Sequence, residues 1–301
     1  MKIMFNEVRN NKIKSFFLIL IFIVLIGVLG AVLGFYYGNL YFGLIIAVII
    51  SLVYILISYR SGDKMILKMS GAKPVTKKEY PYLYHTVEGL AISAGIPTPK
   101  AYVIEDSALN AFATGRNPKN ASITVTTGLL KIMNRQELEG VIAHEMSHIK
   151  NYDIRFMMLT AVLVGIVILL SDFLLRSFLW GGHGRRHSSR GGGQFAVILI
   201  AVGLILAILS PIIGELIKLS ISRKREFMAD ANGAILTRYP PGLTSALRKI
   251  SKDPDPLVDK ANKSTAHLFI STPFRKKTGF IPNLFLTHPP IEERIKRLEA
   301  M

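Results

Sequence analysis

The chain has 301 residues, half of them hydrophobic, and a mean hydropathy of +0.38, which exceeds what one soluble domain needs and favours a membrane protein. Lysine and arginine outnumber aspartate and glutamate by 37 to 20, an excess that fits the cytoplasmic flanks of membrane spans better than it fits nucleic-acid binding. There is no cysteine, which excludes disulfide scaffolds, thiolate metal sites and cysteine nucleophiles. Any metal site must therefore use His, Asp or Glu.

Two apolar runs near the N-terminus predict a transmembrane hairpin. Phe16 to Phe35 carries no charge and is long enough to cross the roughly 30 Å hydrocarbon core as a helix. A second run, Leu40 to Tyr59, follows after a short uncharged link. The flanks of this pair are basic, with Lys12, Lys14, Arg60 and Lys64. By the positive-inside rule, both ends of the hairpin and the region that follows it should lie in the cytoplasm.

The next region has the composition of a soluble domain. Thr76 to Ile96 predicts an amphipathic helix that stops at Gly95, and the proline-bounded segment after it predicts a strand. Asn110 to Gly115 and Ala121 to Leu130 flank a turn-rich RNPKN and predict an antiparallel hairpin. An extended substrate could pair with one of these strands, but the sequence does not decide which strand lies at the sheet edge.

The segment RQELEGVIAHEMSHIKN predicts a helix capped by Asn134. It carries the pattern HExxH as His144, Glu145 and His148. Residues four apart on a helix lie about 40° apart around its axis, so both imidazoles can reach one ion. A catalytic zinc ion takes three protein ligands and leaves one position to water. Glu145 would accept the proton of that water and deliver it to the leaving amine. The alternative is a surface helix with two ordinary histidines.

A third ligand is available further along the chain. Ser222 to Arg238 predicts a helix in which Glu226 and Asp230, four residues apart, share a face. Glu226 could complete a His, His, Glu set, and Asp230 could accept the remaining N–H of a ligating histidine. The alternative is a salt-bridged helix in which these acids pair with Arg223 or Arg225. The HExxH pattern favours the metal site.

Two further apolar runs, Phe156 to Leu175 and Phe195 to Ile217, separate the HExxH helix from the Glu226 helix. They predict a second transmembrane hairpin, so the metal ligands should meet close to the bilayer surface. This places the loop from Trp180 to Gln194 outside the cell, although its three arginines and absence of acids disfavour that side. A hairpin that only partly enters the bilayer is the competing interpretation.

Four motifs occur in order: NAFATG, HEMSHIKNYD, SRKREFMADANGA and THPPIEERI. Together they resemble those of the HtpX-type integral-membrane zinc metallopeptidases, relatives of the CAAX prenyl endopeptidases. The resemblance implies a membrane-bound endopeptidase that degrades misfolded or damaged membrane proteins with a cytoplasmic active site. It assigns one zinc ion to His144, His148 and Glu226 and the catalytic base to Glu145. It also implies that His288 helps to stabilise the oxyanion and that Arg294 supports His288.

The expected fold is an α+β zincin-like metalloprotease domain, mainly helical, on four transmembrane helices. Residues 1–60 and 156–217 form the two hairpins, and residues 61–155 and 218–301 form the two parts of the catalytic domain. The expected location is the plasma membrane, and the expected partners are the lipid bilayer and protein or peptide substrates, with no nucleic acid. Two alternatives stay open: a protease that processes one specific or prenylated peptide, and a catalytically silent scaffold that keeps zinc for stability. An intact Glu145 disfavours the scaffold.

Overall fold

A computed structural model describes residues 2–36, 38–165, 223–253, 268, 270 and 289–301, which form α-helices around one small sheet. The helices are α1 (Lys2–Tyr36), α2 (Leu40–Met69), α3 (Pro81–Ala94), α4 (Thr127–Ile132), α5 (Arg135–Lys150), α6 (residues 153–165), α7 (Arg223–Thr237), α8 (Pro240–Ser251) and α9 (Ile291–Glu299). The strands are β1 (Lys73–Pro74), β2 (Lys100–Ile104), β3 (Ala111–Asn117) and β4 (Asn120–Thr126).

The sheet has the order β1-β2-β4-β3. Strands β3 and β4 pair antiparallel, which confirms the predicted hairpin, whereas β2 and β4 pair parallel. Among the described strands, β3 therefore lies at one edge of the sheet. The buried core lies between this sheet and helices α3, α5 and α8, and α5 runs through it with nearly every side chain after Glu137 covered.

The predicted second strand of the hairpin, Ala121 to Leu130, is too long. Strand β4 ends at Thr126, and the next residues form helix α4. The hydroxyl of Thr126 accepts a hydrogen bond from the Leu129 backbone N–H at 3.3 Å and so caps the new helix. This N-cap bond satisfies a backbone donor that a strand would have left to a neighbour, and the chain turns at the threonine.

Helix α5 begins with a capping box, as Asn134 and Glu137 each bond the other's backbone N–H. The Glu137 carboxylate also accepts hydrogen bonds from Ser245 and Lys249 of α8, both at 2.6 Å. Burial alone would raise the pKa of Glu137, but the bonds from Lys249, Ser245 and the Asn134 backbone outweigh it and hold the pKa below its ordinary value of 4.5. One carboxylate thus fixes both the start of α5 and its contact with α8.

Replacing Glu137 with glutamine should lower the free energy of unfolding by about 1–2 kcal/mol at neutral pH, because charge-assisted hydrogen bonds at a buried site are lost. A carboxylate with a depressed folded pKa stabilises above its unfolded pKa, and this stabilisation is lost as the pH falls through the folded value. The difference in thermal midpoint between wild type and variant, measured in detergent, should therefore shrink below about pH 4.5. A difference that persists unchanged at lower pH would contradict the ionic role.

Helices α1 and α2 form an antiparallel pair with large apolar side chains on their outer surface, among them Phe16, Phe17, Ile49 and Leu56. Within the part of the chain that the structure describes, two helical segments are long and apolar enough to cross a membrane, Arg9–Ala31 and Leu40–Met69. Glycines permit the close contact, since a Cβ on Gly43 would lie 2.2 Å from the Gly30 carbonyl oxygen. The first predicted hairpin therefore has its counterpart in two candidate membrane helices.

Helix α2 continues past the predicted end of its span at Tyr59 to Met69. Basic residues are good helix formers with long side chains, so they mark the membrane boundary without ending the helix. Helix α6, which contains the start of the run from Phe156, is buried, and its Met158 lies against Gly62 of α2. Most of the second predicted hairpin lies outside the described residues.

Candidate metal centre and active site

Helices α5 and α7 cross closely enough to bring His144, His148 and Glu226 together. Gly233 of α7 permits this approach, because a Cβ at that position would lie only 3.1 Å from the His144 backbone nitrogen. The two histidines lie on one face of α5, and Glu226 lies in the first turn of α7. All three side chains are almost completely buried, with exposures of 1%, 4% and 2%.

The donor atoms of these residues suit one small cation. The Nε2 atoms of His144 and His148 are 3.2 Å apart, and the Glu226 carboxylate oxygens lie 3.8 Å and 3.5 Å from them, respectively. One ligand atom from each residue fits within 4.8 Å of the others. Tetrahedral zinc with bonds of about 2.0–2.1 Å separates its nitrogen ligands by about 3.3 Å. The spacing and the chemistry of the three donors therefore fit a zinc ion.

Each histidine is held at its other ring nitrogen by a carboxylate. Asp230 of α7 lies 2.9 Å from Nδ1 of His144, and Asp153 lies 2.9 Å from Nδ1 of His148. A carboxylate at Nδ1 fixes the ring orientation and the tautomer and leaves the Nε2 lone pair for a metal. Both rings are therefore oriented to present Nε2 at the same point.

Asp153 was missed by the sequence reasoning, which considered only Asp230 as a partner for the ligating histidines. Its position five residues after His148, at the start of α6, is the signal that could have identified it. Asp230 lies at the position that its predicted role requires, and that role stays a prediction.

Glu145 lies beside the candidate metal ligands His148 and Glu226 and contacts the edge strand β3. It is 3% exposed, and its carboxylate accepts a hydrogen bond from the backbone N–H of Ala113 on β3. Burial raises the pKa of Glu145 to about 7, the Glu226 charge acts in the same direction, and the His148 and Arg294 charges oppose it. A carboxylate with a pKa near neutral is suited to exchange protons at physiological pH.

The pKa values of the two histidines shift in opposite directions. Burial and the charge of Arg294 lower the pKa of His144, against the hydrogen bond with Asp230. Burial would also lower the pKa of His148, but the hydrogen bond with Asp153 and the charges of Glu226 and Asp153 outweigh it and raise the pKa to about 9. A metal-bound imidazole must be neutral, so zinc binding near neutral pH should release the His148 proton.

Arg294 of α9 is completely buried beside the cluster. Its guanidinium makes two hydrogen bonds to Asp230, at 2.7 and 2.9 Å, and lies 3.6 Å from Glu226. In the described residues it thus supports the carboxylate that holds His144. Its predicted partner His288 lies outside the described residues, so the predicted oxyanion role of this pair stays a prediction.

Comparison with known proteins gives consistent matches. Residues 77–301 match the model of Peptidase family M48. The chain is 53% identical over 244 residues to a protease HtpX homolog of Dictyoglomus thermophilum, covering 81% of this chain and 77% of the relative. It is 41% identical to a protease HtpX homolog of Streptococcus gordonii, covering 99% of this chain and 100% of the relative.

Among solved structures, Ste24p of S. mikatae aligns with a TM-score of 0.46 at 19% identity. The alignment covers 85% of this chain and 64% of that longer chain. The family match and the two sequence identities show that the chain belongs to peptidase family M48 and is a metallopeptidase.

Proposed function

We propose that this protein is a zinc-dependent endopeptidase of the plasma membrane that cleaves misfolded or damaged membrane proteins. One observation carries the proposal: two imidazoles and a carboxylate converge with metal-ligand spacing beside the buried Glu145. His144, His148 and Glu226 are the proposed ligands of a single zinc ion. The names of the relatives, protease HtpX homologs, agree with this activity.

A zinc ion held by His144, His148 and Glu226 would supply the Lewis acidity that this reaction needs at the scissile carbonyl and the attacking water. Glu145 accepts a proton from the attacking water and passes it to the amine nitrogen as the peptide C–N bond breaks. Asp153 and Asp230 keep the two imidazoles oriented, and Arg294 holds Asp230 in place.

The substrate is proposed to bind in extended form along β3. This strand is at the edge of the described sheet, and the N–H of its Ala113 already reaches Glu145. Backbone hydrogen bonds to a sheet edge recognise a polypeptide with little regard to sequence, which suits unfolded substrates. The Ala111 carbonyl at the start of β3 already accepts a hydrogen bond from the Ile270 backbone N–H at 3.0 Å, so the substrate would pair with the residues that follow Ala111.

The proposed location of the site is the cytoplasmic face of the membrane. Asn11 of α1 contacts the turn after α5, and α2 is followed within a few residues by β1. Both ends of the first hairpin therefore adjoin the catalytic domain. The basic flanks of that hairpin support a cytoplasmic orientation. Zinc ligands on both sides of the second apolar pair require the ends of that pair to share this face.

Cysteine labelling should test the proposed topology, because the chain has no cysteine of its own. In intact cells, a membrane-impermeant thiol reagent should modify a cysteine that replaces Ser188 and spare those that replace Ser264 and Ser93. Ser93 is an exposed residue of α3 and serves as the control for the catalytic domain. All three should react after the cells are lysed. Protection of the Ser188 site in intact cells would refute an external loop and favour a hairpin that does not cross.

The substrate class can be tested with purified protein in detergent. An unfolded membrane protein, the same protein in its folded form and a short prenylated peptide are incubated separately with the enzyme. The proposal predicts cleavage of the unfolded protein at several sites and little cleavage of the folded form. Preferential cleavage of the prenylated peptide at one bond would instead support a processing protease, and no cleavage of any substrate would favour the silent scaffold.

A further inference from the structure

A polar side chain of α1, the first candidate membrane helix, contacts the carboxylate that orients His148. Asn11 of α1 is 1% exposed, and both ends of its amide form hydrogen bonds. The Nδ2 group donates to the Asn151 carbonyl at 3.1 Å and to Asp153 Oδ1 at 2.6 Å, while Oδ1 accepts from Arg225 at 3.2 Å. Only an amide can donate to two acceptors and accept from a guanidinium in this arrangement.

The carboxylate contacted by Asn11 is the one that holds His148. One oxygen of Asp153 lies 2.9 Å from Nδ1 of His148, and the other receives the Asn11 amide and lies 3.5 Å from Arg225. Since a carboxylate is planar, fixing one oxygen also fixes the direction of the other. Asn11 is therefore hydrogen-bonded directly to Asp153, the partner of the proposed zinc ligand His148.

The same part of α1 contacts the turn of Asn151 and Tyr152 that immediately precedes Asp153. Tyr152, between the two residues that Asn11 contacts, has a φ of 60°, which is unfavourable for a residue with a side chain. The Lys12 ammonium and the Arg155 guanidinium each lie 5.3 Å from the centre of its ring. Asn11 and Lys12 thus contact a strained turn and add to the backbone hydrogen bonds that Asn151 and Tyr152 make to Ser147 and Ile149.

We propose that Asn11 is a positioning residue that couples the docking of the first membrane helix to the metal affinity of the active site. It acts by fixing the orientation of Asp153 and, through it, the His148 ring. This inference rests on the proposed function, in which His148 binds zinc. Loss of a residue that orients a metal ligand from behind lowers metal affinity by about 10- to 100-fold, and Asn11 should lie near the lower end of that range.

The test compares Asn11→Ala with Asn10→Ala, since Asn10 is the neighbouring residue on the same helix and is exposed. Zinc affinity is measured by competition with a chromogenic chelator in detergent, and the geometry of the site by the visible spectrum of the cobalt form. Asn11→Ala should weaken zinc about 10-fold, change the cobalt spectrum and lower kcat with KM nearly unchanged. Asn10→Ala should match wild type in all three measurements.

Asn11→Asp keeps the size of the side chain and the acceptor for Arg225 but places a carboxylate against Asp153. It should weaken zinc more than Asn11→Ala, which separates orientation of Asp153 from packing. Unchanged zinc affinity and cobalt spectrum in both Asn11 variants would overturn the inference alone. A fall in the thermal midpoint of the metal-free protein that accounts for the whole effect would also overturn it, because the role would be merely structural. A wild-type protein that binds no zinc would overturn the proposed function itself.

Discussion

Replacing Glu145 with glutamine is expected to reduce peptide hydrolysis by about 10² or more while leaving one zinc ion per chain, because a general base is lost and the ligands remain. The amide has nearly the same size and can still meet the Ala113 N–H through its oxygen. Atomic emission measures the zinc content, and the rate of cleavage of an unfolded protein measures peptide hydrolysis.

The matched control is Glu139→Gln, which makes the same chemical change on the same helix. Glu139 pairs with Arg135 at the surface and does not reach the cluster. This variant should keep both zinc and full activity, since surface pairs of this kind contribute little. Joint loss of zinc and activity in Glu145→Gln would show that Glu145 is needed for metal binding and would count against its assignment as the base.

Removal of a proposed ligand should reduce zinc binding as well as hydrolysis. His144→Ala, His148→Ala and Glu226→Ala are each expected to lose most of the bound zinc and essentially all hydrolysis, because two remaining ligands do not retain the ion during purification. Glu226→Ala is the most informative of the three, since Glu226 lies outside the HExxH pattern. A Glu226 variant that keeps full zinc and activity would require a different third ligand.

Asp230 needs a gentler change than alanine. Its carboxylate accepts two hydrogen bonds from the buried Arg294, and alanine would leave that guanidinium without either of them. Burial acts to raise the pKa of Asp230, but the Arg294 charge and the hydrogen bonds from His144 and Arg294 dominate and lower it to about 2, so the group is ionised at any working pH. Asp230→Asn keeps an acceptor for His144 Nδ1 and should weaken zinc by about 10- to 100-fold without abolishing it.

The part of the site that lies within single helices could be predicted from the sequence. The spacing of His144 and His148 is a property of one helix turn, and the spacing of Glu226 and Asp230 is a property of another. Their meeting point could not be obtained from spacing, because it depends on how α7 crosses α5 beside Gly233. The motif order supplied that link through resemblance to a known family.

The contact between Asn11 and Asp153, which the sequence did not reveal, joins residues far apart in the chain. Asp153 lies at the start of α6 and Asn11 lies in α1 ahead of its apolar run, so each position has an ordinary local explanation. Their role depends on the docking of α1 beside the start of α6, which no periodic pattern encodes. The end of β4 at Thr126 was missed for a local reason, since one side-chain cap there ends the strand and starts a helix.

We propose that this chain hydrolyses polypeptides with a single zinc ion held by two histidines and a glutamate. The most direct measurement follows cleavage of an unfolded membrane protein by the purified chain in detergent while a chelator removes zinc and zinc is then returned. Hydrolysis should disappear with the metal and return in full when one equivalent of zinc per chain is added. Hydrolysis that survives complete removal of the metal, or that does not return with zinc, would contradict it.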